Sequence, residues 1–290
     1  MPGPQLPAAP AAKIVAPRKI SLPLAGLSGF GALVLMFAVP DAMAWKQEPL
    51  TWAWLLCATF LLVFCIATGL GINGCYNGLI IDNRNRVSLS KFQATAWTVL
   101  ILSAFITAIL ARVMNGIDNA ADIGIPGNLL AVMGISATSL VATPVILNVK
   151  SGQDAGDGQA DATSNKLADG GQNSVGLVYA RPNVAQASWL DMFRGEEVNN
   201  AASPDLGKIQ QFLITIGVLI TYGATLWHMF GGPVPPQAPS TWLNNLPEFS
   251  RDTAWLVGIS HAGYLAYKAA PHGGTQDAPT PAPQADDAVG

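Results

Sequence analysis

His261 is the one ionisable side chain near the middle of any long apolar run in this chain, and Ser260 stands beside it. An ionisable group at that depth is a functional-site candidate by default. Two roles fit the imidazole: a proton-sensitive gate, or a neutral ring hydrogen-bonded inside a helical bundle. A serine–histidine nucleophile does not fit, because adjacent helical positions point about 100° apart. Ser136 and Ser260 each follow a glycine at the same spacing, in Gly134-Ile135-Ser136 and Gly258-Ile259-Ser260. Mid-span hydroxyls bond back to their own helix or across to a neighbour, and glycines let two backbones approach. The pattern reads as a packing seam or, with Thr98, Thr215 and Ser103, as the lining of a narrow polar path.

A second set of polar residues opens the apolar runs. Ser90-x-x-Gln93 has capping-box spacing, in which the serine oxygen accepts from a first-turn N–H and the glutamine reaches back. Gly207-Lys208-Ile209-Gln210 opens a later run, with glycine tolerated in the serine's place. Lys91 and Lys208 would then lie at headgroup depth and contact anionic lipid. Trp189, Leu190, Met192 and Phe193 fall at helical spacing in an otherwise polar stretch. They suggest a short interfacial helix that could dock a cytoplasmic protein partner. Nucleotide-binding and zinc-protease motifs are absent. Cys57, Cys65 and Cys75 lack metal-ligand spacing, so neither a metal nor a cofactor is expected. No run carries a carboxylate at membrane depth, which argues against a proton- or sodium-coupled carrier.

The elements that must hold these residues are helices in lipid. Of 290 residues, 50% are hydrophobic and 11% charged, against about 25% charged in an average soluble domain. Several windows of roughly 19–23 residues are nearly free of ionisable groups, long enough to cross a ~30 Å hydrocarbon layer. A net charge of -3 excludes a nucleic-acid partner as the organising theme. The expected fold is all-α: a polytopic helical membrane protein with about six transmembrane helices. Residues 1–21 form a disordered basic, Pro/Ala-rich N-terminus. Residues 22–44 are a first transmembrane helix or a signal peptide ending at Ala42-Met43-Ala44, and cleavage there would leave five spans. Residues 45–91 hold the next helix and a basic loop. A first helix pair spans 92–150, a linker with the short helix spans 151–207, and a second pair spans 208–270. Residues 271–290 are a disordered tail.

Lys and Arg set the orientation. With a cytoplasmic N-terminus, 12 of the 15 fall on inner segments, and only Lys46, Arg112 and Arg251 fall outside. Retaining Leu22–Pro40 puts both termini in the cytoplasm. Six of the eight tryptophans (Trp45, Trp52, Trp54, Trp227, Trp242 and Trp255) then sit near the outer interface.

The two pairs read as a tandem repeat in one orientation. Lys91, Gln93 and Thr98 match Lys208, Gln210 and Thr215 at a constant offset, although Pro144 stands where the other copy has Lys268. An even number of crossings per unit implies an axis along the membrane normal. The basic Asn83-Arg84-Asn85-Arg86, the Ser-Leu-Ser-Lys-Phe-Gln opening and the paired Gly-Ile-Ser helices resemble a family of uncharacterised bacterial multi-pass membrane proteins. The resemblance covers roughly residues 76–150 and 187–270 and implies a bacterial inner membrane, with no functional residue to carry over. The expectation is a non-enzymatic scaffold or anchor, homo-oligomeric or part of a membrane complex. The alternative is a passive pore lined by hydroxyl-bearing helices and His261.

Overall fold

A computed structural model describes residues 50–153 and 173–270. The expected N-terminal segments 1–21 and 22–44, most of the stretch 151–173 and the tail 271–290 lie outside the described residues. Five long helices dominate: α1 (Thr51–Asn73), α2 (Leu89–Met114), α3 (Gly127–Ser151), α4 (Leu206–Gly231) and α5 (Arg251–Ala269). Among the described residues, α1 to α4 are long and apolar enough to cross a membrane. The expected span at 252–270 does form a helix, α5, but not one of that apolar class. Its buried face carries His261, Tyr264 and Lys268 after Val257, a polar stripe at helical spacing.

Side-chain caps set where three of these helices begin. Ser88, Asp205 and Ser250 are the N-caps of α2, α4 and α5, accepting from Lys91, Lys208 and Thr253 N–H respectively. Gly74 closes α1 at φ 70°, the left-handed conformation that favours glycine. The chain then folds back so tightly that a Cβ on Gly69 would lie 2.8 Å from the Leu79 nitrogen. Gly78 therefore serves a turn within its own segment.

Helix α2 packs on α1, α3 and α4, and α5 packs on α3 and α4. The α2–α3 and α4–α5 hairpins thus lie side by side, α2 against α4 and α3 against α5. The inward faces shift the expected register by one residue. Ser90 and Lys208, Gln93 and Gln211, Trp97 and Thr215, and Ala108 and Leu226 are buried at matching places, each pair 118 residues apart. The sequence pattern placed Gln210 opposite Gln93. A one-residue slip turns a side chain by about 100°, and Gln210 is accordingly exposed.

Aromatic packing ties the start of α5 to the interior of the bundle. Tyr222 stacks on Phe249 at 4.7 Å, and Trp97 meets Phe249 edge-on at 6.0 Å. The two turns are joined by backbone bonds from Gly124 N–H to Asn244 C=O (2.7 Å) and from Leu246 N–H to Gly124 C=O (3.0 Å).

The described part of 151–207, which begins again at Asn173, is folded. Strands β1 (Asn173–Val175) and β2 (Val178–Ala180) pair antiparallel, with Val175 opposite Val178 and Gly176 supplying φ 57° at the turn. Further β-bridges join Val178 to Glu197 and Arg194 to Pro204. The expected short helix is a 3-10 turn, Trp189–Phe193, closed by a capping box between Ser188 and Asp191.

Candidate functional site

The polar residues concentrate in two layers at the end of the bundle where α2 and α4 begin and α3 and α5 end. The outermost is a cluster of buried charges. Glu196 Oε1 lies 2.8 Å from both Lys208 Nζ in the first turn of α4 and Lys268 Nζ in the last turn of α5. Arg84 Nη2 stands 3.6 Å from the same oxygen and binds Asp82 Oδ2 at 2.6 Å. Alongside, Arg181 forks onto Asp191 (Nη2–Oδ1 2.8 Å, Nε–Oδ2 3.0 Å). Lys150, at the end of α3, reaches Glu197 at 2.5 Å. Arg86 donates to the Gly195 carbonyl at 2.8 Å and lies over the Tyr179 ring. Burial alone would raise the Glu196 carboxyl, but Lys208, Lys268 and Arg84 overcome it and hold the group well below the carboxylate range.

One to two turns into the bundle lies a neutral layer. Gln93 Nε2 donates to Thr215 Oγ1 (2.7 Å), tying α2 to α4, and Thr215 donates to the Gln211 carbonyl (2.8 Å). Ser260 Oγ donates to Gln211 Oε1 (2.5 Å), tying α5 to α4. Gln211 Nε2 lies 2.6 Å from His261 Nδ1 and 2.8 Å from its Nε2, while His261 Nδ1 lies 3.0 Å from the Val257 carbonyl. The buried ring thus has polar partners on α4 and on its own helix, the setting of a hydrogen-bonded core histidine.

Other expected site residues are scattered. Thr98 is exposed and bonds back to the Ala94 carbonyl of its own helix (2.8 Å). Ser103 accepts from Trp54 Nε1 (3.0 Å) and so holds α1 on α2. Ser136 is buried with its Oγ unpartnered. Gly134 faces open space: a Cβ there would meet nothing within 4 Å. Gly258 does pack, against Ile135, with 3.5 Å to an added Cβ. These residues do not line one path.

The expected caps are also displaced. Ser90 is inside α2, buried, and 3.2 Å from Thr143 Oγ1; the cap is Ser88, two residues earlier than the box required. Gln93 points to Thr215 instead of back to the helix start. Lys91 is half-buried and donates to the Ile81 carbonyl (2.7 Å), whereas Lys208 is buried in the charge cluster and cannot anchor in headgroups. Of the expected docking patch, Met192 is 3% exposed and Phe193 meets Phe212 edge-on at 5.0 Å. Trp189 (41%) and Leu190 (55%) face outward, and the Trp189 indole donates to Tyr76 Oη at 3.2 Å.

Sequence reasoning missed Gln211, Glu196, Glu197, Asp191 and Arg181. Adjacent Glu196-Glu197 in a chain so poor in charge, flanked by Arg194 and Lys208, was a usable signal. Which cation each carboxylate meets was not in the spacing. Among the described residues no group of His, Cys, Asp or Glu is arranged to hold a metal ion. No family model, curated protein or solved structure matches this chain.

Proposed function

We propose that this chain is a non-enzymatic structural component of a bacterial inner membrane, a bundle that anchors or scaffolds other proteins. The carrying observation is closure at both ends of the bundle. Buried ion pairs around Glu196 seal one end. At the other, the buried Arg112 donates to carbonyls of both turns: Asn119, Ala120, Ser240 and Trp242. Between these ends, side-chain bonds run from helix to helix rather than along a path. The basic loops favour an orientation with the Glu196 end in the cytoplasm. Tandem helix pairs, a further span at Leu22–Pro40 and a homo-oligomeric state belong to the same proposal.

Trp189 and Leu190, with Val175, are the outward large apolar groups of the folded 173–205 segment, and the first two would meet a cytoplasmic protein. A photo-crosslinker at Leu190 is expected to give one discrete protein adduct in cells, and the same label at Ile259, exposed on α5, is not. The competing reading is a passive pore. Liposomes holding the purified chain are expected to conduct no more than protein-free liposomes. Flux that His261→Leu or paired Ser136→Leu and Ser260→Leu changes abolish would overturn the scaffold.

A further inference from the structure

A cavity of about 240 Å³ lies between the start of α2, the second half of α3 and strand β2. Its floor is polar: Ser88, Ser90, Lys91, Thr143 and the Asp82–Arg84 pair all line it. One wall is apolar, formed by Leu140, Pro144 and Leu147 of α3. That wall runs on into the exposed apolar face carrying Val141 and Val145, which hydrocarbon would cover in a membrane. A charged floor beside an apolar wall at a helix terminus is the shape of an amphiphile. We propose that this cavity binds the headgroup of an anionic phospholipid, its phosphate on Lys91 and the serine–threonine hydroxyls and its chain along α3. The proposal rests on the membrane placement above but not on the scaffold role.

The donors suit a phosphodiester. Lys91 Nζ donates to the Ile81 carbonyl, which leaves two of its three N–H groups for a ligand. Ser90 Oγ and Thr143 Oγ1 are 3.2 Å apart, so one hydroxyl proton joins them and the other can be given away. Arg84 Nη1 is buried without a hydrogen-bond partner. Asp82 does not cancel this attraction, because Arg84 takes it at both Nε (2.9 Å) and Nη2 (2.6 Å). Lys91 is then the charge left for the ligand, beside the positive end of the α2 dipole. The volume equals roughly eight waters at ~30 Å³ each, room for a phosphoglycerol group rather than a bare ion.

The test is native mass spectrometry and thermal unfolding of the full chain in neutral detergent. Probes are phosphatidylglycerol, phosphatidylcholine, glycerol 3-phosphate and inorganic phosphate. Phosphatidylglycerol is expected to be retained at one per chain and to raise the Tm, with phosphatidylcholine doing neither. Lys91→Gln should weaken phosphatidylglycerol binding about tenfold, as loss of one charge-assisted bond implies, and Lys91→Arg should restore most of it. Leu140→Trp, which fills the apolar wall and leaves the charges, should also lower retention. Equal retention of the two lipids, or no change in Lys91→Gln, overturns the proposal. So does stabilisation by inorganic or glycerol phosphate equal to that by lipid, which would mark a free-anion site. Ion flux through liposomes would overturn the scaffold and leave this site standing.

Discussion

The two ends of the bundle hold buried cations by opposite means. At the Glu196 end, Lys208, Lys268, Arg84, Arg86, Arg181 and Lys150 meet Glu196, Asp82, Asp191 and Glu197. At the turn end, Arg112 is 2% exposed and, among the described residues, meets only backbone carbonyls. A charge held by charges is sensitive to the loss of any one member, since each removal strands the others away from water. A charge held by carbonyl dipoles fixes the backbone of two turns in return. One end is an electrostatic knot and the other a mechanical rivet.

The contrast predicts unequal costs. Glu196→Leu should be the most damaging single change, about 3–5 kcal/mol, because it leaves Lys208 and Lys268 buried without their shared carboxylate. Thermal unfolding in detergent measures it, and a loss no greater than that of Arg112→Met would break the comparison. Acid should act at the same end. The Glu196 carboxyl is held below its unfolded value, so its contribution is present above the ordinary carboxylate range near pH ~4.3 and is lost as pH falls below it. Tm against pH should fall more steeply toward pH 3 in the wild type than in Glu196→Gln. Parallel curves would count against the knot.

At the turn end, Arg112→Met should cost about 1–3 kcal/mol, since the orphaned carbonyls lie near the surface and can find water. The loss should be the same at pH 5 and pH 8, and limited proteolysis should become faster within 115–126 and 232–250. The smallest effect belongs between the ends. Gln93→Leu removes one interhelical bond while Thr215 keeps its bond to the Gln211 carbonyl, so about 0.6 kcal/mol is expected. A loss as large as that of Glu196→Leu would make the neutral layer, and not the ends, the bundle's main fastening.

The helices were legible because apolar runs of membrane-spanning length have few other readings. Helix α5 was legible as a helix and misjudged in character: His261, Tyr264 and Lys268 share a stripe, and only packing reveals that this stripe faces inward. Ser88 and Ser90 are equally good caps on paper, and the structure chooses the first because Ser90 is drawn to Thr143. The same ambiguity moved Gln210 into the place of Gln211. Arg84 and Arg86 read as a mark of the cytoplasmic side, while the approach of Arg84 to Glu196 and the bond of Arg86 to Gly195 depend on chain that folds back from far along the sequence. The strands of 173–180 are three residues each, too short to alternate visibly.

Arg112 also sets an order of manufacture. Two of its four acceptors, Ser240 and Trp242, are translated 128 and 130 residues after it. Until Ser240 and Trp242 are made, the guanidinium has only the carbonyls of Asn119 and Ala120 to meet, so the second turn completes the fastening of the first.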